Sequence, residues 1–384
     1  MAEASFKTNL IFWLKGLPTV YVLLRESVAR ATKLFVELAR VCGVGFRFGG
    51  PRGFFSGLEL LDNEGCLGSV LLKRQQLPML PVASLIKQTG HNQNGRQPWP
   101  VFWMKIKEAR LVGDSLAPVN FKKQMLIEAV YGEEFAATDP SYHYSYLHSP
   151  LRLEGSWTSL ISRWDHGYYH WFLDALPRLA PLGEFPEATK IMIREPLSTY
   201  QRESLEMLGL LERVWETARN HLIIEDYYFS SPPGMTGCTN PYVVSWLREK
   251  FLPHQALIET PRRFFIKRKG KTRGIVNQEE IAEYFIAQGW VVIDLETLSF
   301  AEQIAWFANA ESIVGEHGGG FSNLIWCRPE TKVLELCADN FLNGCYEGIS
   351  LCLRLDHRFE VFQADYQNRI TVNPNQVMEL IESY

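Results

Sequence analysis

From Arg262 onward the chain alternates short apolar runs with helix-length amphipathic stretches, and few folds accommodate that alternation. RFFIK at 263–267 reads as a strand, 277–288 as a helix, and Val291–Leu295 as a strand again. Ser299–Asn309 follows as a helix, Ser312–Val314 ends a strand, and Lys332–Leu336 is β-type. Helical 344–355, a strand at 359–363 and a final helix at 374–384 complete the pattern. Strands separated by helices pair in parallel, so the spacing predicts a doubly wound α/β sheet. Asn277 with Glu280, and Ser299 with Glu302, supply helix-start signals at the expected places.

In such a sheet ligands sit beyond the C-terminal ends of the strands. Two stretches fall on that edge. Gly315-Glu316-His317-Gly318-Gly319-Gly320 places four glycines in six residues, and Phe321–Cys327 then leaves room for a short helix before Pro329. Glycines let backbone approach a ligand closely, and a helix N-terminus offers free N–H groups to an anion. A tight βα turn without a ligand fits the same residues. The second stretch runs from Lys267 to Arg273 and carries five cationic side chains. Alone it reads as a solvated loop; beside the glycine turn it becomes a candidate diphosphate site, with Arg268 and Arg273 able to bridge phosphate oxygens. Glu335, at the end of the next strand, could accept hydrogen bonds from ribose hydroxyls.

Upstream, Trp157–Leu182 reads as strand, turn and helix. Thr158–Ser162 is the strand, Asp165-His166-Gly167 the turn, and the helix runs from Tyr168 until Pro177 interrupts it. His170 and Asp174, four apart, share a helix face, which suits a carboxylate orienting an imidazole. A helix-terminal His with a solvated Asp is the other reading. Lys190–Ile193, Gln201–Leu208, His221–Ile224 and Tyr242–Phe251 continue the alternation and suggest parallel βα units. Residues 101–150 mix β-like runs at Val101–Met104 and Ala109–Val112 with a helical-looking Phe121–Val130. An aromatic loop there carries His143, Tyr144, Tyr146 and His148. Prolines at 253 and 261 mark a crossing between domains. The division is therefore 1–100 as an N-terminal extension, 101–258 as a first Rossmann-like domain and 259–384 as a second. The polar run at 88–100 marks the first boundary.

Composition narrows the function classes. The chain has 384 residues, 46% of them hydrophobic, so a sizeable core is available. A net charge of −4 argues against a nucleic-acid binder. Seven cysteines, odd in number and without a CxxC pair, support neither a zinc site nor a disulfide framework. No Asn-x-Ser/Thr sequon occurs, and no Asp-x-Asp motif. Residues 8–24 are apolar but broken by Lys15, Gly16 and Pro18, too short to span a bilayer. Through residue 39 basic and apolar residues interleave, which fits a helix resting on an anionic membrane or packed on the body. These features together lead us to expect a cytoplasmic protein, at most at the inner face of a membrane.

Three motifs in this order resemble glycosyltransferase family 61: YYHWFLDALPRL at 168–179, IKRKGKTRGIVNQEE at 266–280, and GEHGGGFSNLIW at 315–326 followed by KVLEL. The likeness covers about 130 to 340 and leaves the first hundred residues out. It implies a GT-B fold, two Rossmann-like domains facing across a cleft, and inverting transfer of a sugar from a nucleotide sugar, UDP-linked by expectation, to a glycan acceptor hydroxyl. The transferred group would be a hexosyl, N-acetylhexosaminyl or pentosyl unit. It implies no tightly bound cofactor and no obligatory metal. By motif position Arg268 and Arg273 would contact the diphosphate, His317, Gly318, Gly319 and Asn323 would form the donor turn, and Glu335 would hold the ribose. His170, oriented by Asp174, would be the base, with Asp165 or His166 as alternatives. Glu316 stands where the family often has proline, and Gly319 where it often has alanine. A non-catalytic nucleotide-sugar or glycan-binding protein on the same fold is the second reading. A dinucleotide oxidoreductase would need a Gly-x-Gly-x-x-Gly turn opening a βαβ unit with an acid beyond it, and none is visible.

Overall fold

The structure is a computed structural model that describes residues 53–61, 67–72, 100–132, 139, 149–268 and 273–383. Residues 1–52 of the expected N-terminal extension, nearly all of the polar run at 88–100, the aromatic loop with His143 to His148, and Lys269 and Lys271 lie outside those residues, whereas 53–61 and 67–72 of that extension are described and supply two strands of the first sheet. In chain order the strands are β1 (Gly53–Phe55), β2 (Gly68–Leu72), β3 (Val101–Val112), β4 (Ala117–Val119), β5 (Gln124–Leu126), β6 (Leu151–Ser159) and β7 (Lys190–Arg194). Then come β8 (Val214–Thr217), β9 (His221–Ser230), β10 (Arg263–Ile266), β11 (Val291–Ile293), β12 (Ser312–Glu316), β13 (Lys332–Ala338) and β14 (Asp356–Phe362). They form two sheets, ordered β1-β5-β4-β3-β9-β6-β7-β8 with β2 beside β3, and β11-β10-β12-β13-β14.

The second sheet is parallel throughout, as the alternation predicts. Its order makes β10 and β12 the neighbours at which the winding direction reverses. The helices Gln278–Ala287, Phe300–Ala308, Cys345–Leu353 and Pro374–Glu382 fall close to their expected places. Ser299 and Glu302 form the expected capping box. Asn277 does not cap: its side chain donates to Val372 O and Glu280 Oε2 and accepts from Val372 N, tying the helix start to the C-terminal segment.

The first sheet keeps the parallel pairing expected of the strands after Trp157, but joins it to antiparallel strands that a Rossmann-like domain over 101–258 does not call for. β6 pairs in parallel with β7 and β9, and β7 with β8, but β3 runs antiparallel to β9, β4 and β2. The antiparallel partners lie far apart in the chain, Trp103 opposite Ser230, so no turn signal between them announces the pairing. The helical reading of Phe121–Val130 also gives way. Lys123 takes a left-handed conformation, φ 61°, and closes a turn on Asn120, so Gln124–Leu126 joins the sheet. The buried Glu128 carboxylate then accepts from Gly57 N at 3.1 Å and Ser56 Oγ at 2.7 Å. Such tertiary bonds override local propensity, which is weak in a segment this short.

One core is shared by both sheets. Ile191 and Ile193 from β7 and Phe264, Ile266, Ile313 and Val333 from the second sheet belong to the same buried cluster. The helices between supply Trp171, Phe172, Leu247, Phe251, Phe300 and Trp326. At the centre Phe300 stacks on Phe172, centroids 4.7 Å apart, and packs edge-on to Phe251 and Trp326. Separate clusters cover the outer faces. Phe300→Ala is expected to cost about 3–5 kcal/mol, because a void opens where four rings meet. The midpoint of urea unfolding measures it, and a loss below about 1 kcal/mol would mean the two sheets are not energetically joined there.

Candidate functional site

A cleft of about 490 Å³ opens at the β10/β12 reversal, between the two sheets. That is where open α/β sheets place ligands. Its floor is the glycine turn Gly318–Gly320, one wall is Ile266 to Arg268, and the facing wall is Tyr168 with Ser198 to Tyr200 and Glu203. Glu316, Asp294 and Glu296 also line it.

The glycine turn leads into the short helix expected there, a 3-10 helix over Gly319–Trp326. Phe321 N bonds back to Gly318 O at 3.0 Å. Short 3-10 helices are common connectors, and the first N–H groups of any helix have no partner within it. Gly318 is closely packed: its φ is 178°, which any residue adopts, but a Cβ there would lie 3.1 Å from Arg268 Nη1, so a larger residue would have to push the guanidinium by a few tenths of an ångström. Arg268 Nη1 donates to Arg273 O at 3.0 Å and His317 O at 3.2 Å, so one guanidinium ties the basic loop to the glycine turn. Lys267 is held instead by Glu279, at 2.6 Å and 2.8 Å.

Of the residues expected from sequence, Arg268, Gly318 and Gly319 line the cleft. Arg273 and His317 line a small adjoining cavity behind Glu316. The Arg273 guanidinium stacks over Phe341, 4.7 Å from its centroid.

Glu335 and Asn323 are placed one layer deeper. Glu335 is 1% exposed, and its oxygens accept from His317 Nδ1 and, at 3.1 Å, from His357 Nε2. His357 Nδ1 is bonded in turn to Ser350 Oγ at 2.7 Å. With both oxygens occupied by imidazoles, Glu335 orients His317, and the ribose contact expected of it finds no access from the cleft. Burial pushes its pKa up, but the charge and hydrogen bonds of His317 and His357 outweigh burial and hold it down at about 2. A depressed carboxylate contributes stability that is full above its unfolded pKa and lost as pH falls from about 4.5 toward 2. Glu335→Gln is therefore expected to destabilise by about 3 kcal/mol at pH 7 and by little near pH 2, read from denaturant unfolding at both. A pH-independent effect would sink the ionic reading.

Cys337 Sγ lies with His317 and Glu335 so that ligand-type atoms of all three fall within 4.8 Å. Burial pushes the thiol pKa up, and the carboxylate is already spent on two imidazoles, so the cluster is a hydrogen-bonded anchor. The five described cysteines are free thiols.

Asn323 belongs to a buried network. Its Oδ1 accepts from Tyr168 O–H at 2.8 Å and Trp326 Nε1 at 3.0 Å, while its Nδ2 donates to Gln303 Oε1 at 2.9 Å. Asn323 thus fastens the glycine-turn helix to Tyr168 across the two halves. Gln303 was not legible as a site residue; its helix position predicts an ordinary polar face.

His170 and Asp174 form a second group, outside the residues that line the cleft. The segment after Tyr168 is α-helical for Tyr168–His170, π-helical for Trp171–Ala175 and 3-10 for Leu176–Glu184. π-turns of this kind are frequent at functional sites. His170 Nδ1 meets Asp174 Oδ2 at 2.8 Å, and Thr236 Oγ1 donates to the same oxygen at 2.6 Å. Nδ1 also lies 3.0 Å from Thr236 Oγ1; a carboxylate partner favours the tautomer with the hydrogen on Nδ1, which leaves Nε2 of the neutral ring as an acceptor. The ring stacks on Trp164, centroids 5.4 Å apart. Thr236 was missed by sequence reasoning, since it lies in an irregular loop with no pattern of its own. The alternative bases are differently placed. Asp165 is buried and accepts from Arg194 Nε at 3.2 Å and Ser162 N at 3.1 Å, whereas the His166 side chain is exposed. Asp165 therefore holds the turn before the helix.

Residues 168–334 match the family model described as Glycosyltransferase 61. The matched segment contains both groups, the imidazole–carboxylate pair and the glycine-lined cleft. No curated protein matches the chain.

Proposed function

We propose, from the match of residues 168–334 to the Glycosyltransferase 61 family model, that the cleft binds the donor of a sugar-transfer reaction. The donor is a nucleotide sugar, UDP-linked, its diphosphate lying on the Gly318–Gly320 turn against Arg268. The observation that carries this reading is the position of turn and arginine together at the reversal point of a parallel sheet, in a cleft of about 490 Å³. Backbone N–H groups and a guanidinium are the donors that a departing diphosphate needs. The two sheets would act as the two halves of a GT-B enzyme, with the shared core holding them in register.

The chemistry proposed is inversion at the anomeric carbon. An acceptor hydroxyl of a glycan loses its proton to His170 Nε2 while its oxygen bonds to the anomeric carbon and the bond to the diphosphate oxygen breaks. Asp174 holds the ring in the tautomer that leaves Nε2 free, and Thr236 holds Asp174. Arg268 and the turn stabilise the charge that collects on the leaving group, without a required metal. The direct test is release of UDP from a panel of UDP-sugars in the presence and absence of oligosaccharide acceptors, with EDTA throughout. Acceptor-dependent UDP release supports the transferase. Donor binding without release under any acceptor would favour a non-catalytic nucleotide-sugar-binding protein.

A further inference from the structure

Glu316 ends β12 next to the glycine turn, and its side chain lines both the large cleft and the small cavity behind it. It is 5% exposed, and its carboxylate has no side-chain partner; the backbone N–H of Ile275 approaches it without reaching hydrogen-bond geometry. Buried polar groups are nearly always satisfied, and an exception calls for a cause. Here the unpaired group faces the space in which the donor is proposed to sit. We propose that Glu316 is a donor-binding residue that holds the diphosphate as a neutral carboxyl, donating its own hydrogen to a phosphate oxygen. The inference rests on the reading of the cleft as a nucleotide-sugar site.

The surroundings set which form is present. From the end of β10 come Lys267, already paired with Glu279, and Arg268, and from the loop beyond comes Arg273. Next to it on the chain is His317, hydrogen-bonded to Glu335 on β13, which also meets His357 from β14. Asp294 and Glu296 after β11, and Tyr168 and Glu203 from the first half, line the same cleft. Burial is the largest influence on Glu316, and it pushes the carboxyl up to about 7 against Arg268, the Ile275 N–H and Arg273. An anionic diphosphate beside it disfavours ionisation further. The carboxylate then takes one proton from solvent, and the resulting hydroxyl becomes a donor in place of a repelling charge.

The test is the affinity of the full chain for UDP by calorimetry across pH, with Glu316→Gln and Glu316→Ala, each value corrected for the ionisation of UDP's own terminal phosphate at about pH 6. Wild type is expected to bind about tenfold more weakly near pH 8 than near pH 6, because one proton must be taken up. In buffers of different ionisation enthalpy the heat should report that proton. Glu316→Gln keeps a donor and removes the charge, so its affinity is expected to be flat with pH and to exceed wild type about tenfold near pH 8. Glu316→Ala should also be flat but weaker than the glutamine variant, which separates donation from mere relief of repulsion. A raised pKa means that ionisation costs stability as pH rises from about 4.5 to 7, so Glu316→Gln is also expected to raise Tm by several degrees above pH 7. That readout shows independently of UDP that the variant is folded. Flat wild-type affinity, or a glutamine variant that binds more weakly than wild type near pH 8, overturns the proposal while leaving the cleft's function standing. Failure of every form to bind UDP at any pH overturns both.

Discussion

Arg268→Ala is expected to lower kcat/KM for sugar transfer by about two to three orders of magnitude while the protein stays folded, since removing one preorganised donor to a developing charge costs about that much. The side chain is half-buried at the wall of the cleft, with one nitrogen already committed to the carbonyls of Arg273 and His317. Its remaining N–H groups are the ones available to a diphosphate. The commitment matters as much as the charge. A lysine could restore the charge but not the simultaneous grip on two carbonyls, so Arg268→Lys is expected to recover a minor part of the activity. Steady-state kinetics with a UDP-sugar, beside unchanged unfolding, measures it. Rates within a few-fold of wild type for the alanine variant would reject the arginine's role.

His170→Ala is expected to reduce kcat by about 10²–10⁴-fold, the usual contribution of a positioned base, with KM for the donor little changed. The split follows from position: His170 stands outside the lining of the donor cleft, so its loss should spare donor binding. Asp174→Asn should lower kcat less and alter its pH profile, because the amide no longer dictates which ring nitrogen carries the proton. Turnover within a few-fold of wild type in His170→Ala would move the base elsewhere; the buried Asp165, paired with Arg194, is a poor substitute.

Much of this arrangement was legible in the sequence where local rules suffice. The alternation after Arg262 gave the parallel sheet, and parallel order alone puts the loops after β10 and β12 on one edge. Arg268, Gly318 and Gly319 do adjoin one another on that edge. The 170/174 spacing likewise brought imidazole and carboxylate together, although the backbone between them is π-helical rather than α-helical. What the sequence hides is decided by distant partners. Glu335 sits at a strand end facing the ligand edge, but two histidines, from the glycine turn and from β14, claim both of its oxygens. Asn323, Tyr168 and Gln303 join across more than a hundred residues of chain, and Thr236 reaches Asp174 from a loop. The first sheet shows the same limit on a larger scale: β3 and β9 pair antiparallel through partners such as Trp103 and Ser230, and no adjacent turn foretells it.

We propose that the β10/β12 cleft receives a nucleoside diphosphate without needing a metal. Thermal unfolding of the purified protein with a panel of nucleotides and nucleotide sugars, in EDTA and in manganese, tests it directly, because a ligand that binds the native state raises Tm by mass action. The account expects a rise of several degrees with UDP or a UDP-sugar that persists in EDTA and disappears in Arg268→Ala. No shift with any nucleotide, or a shift that requires manganese, would contradict it.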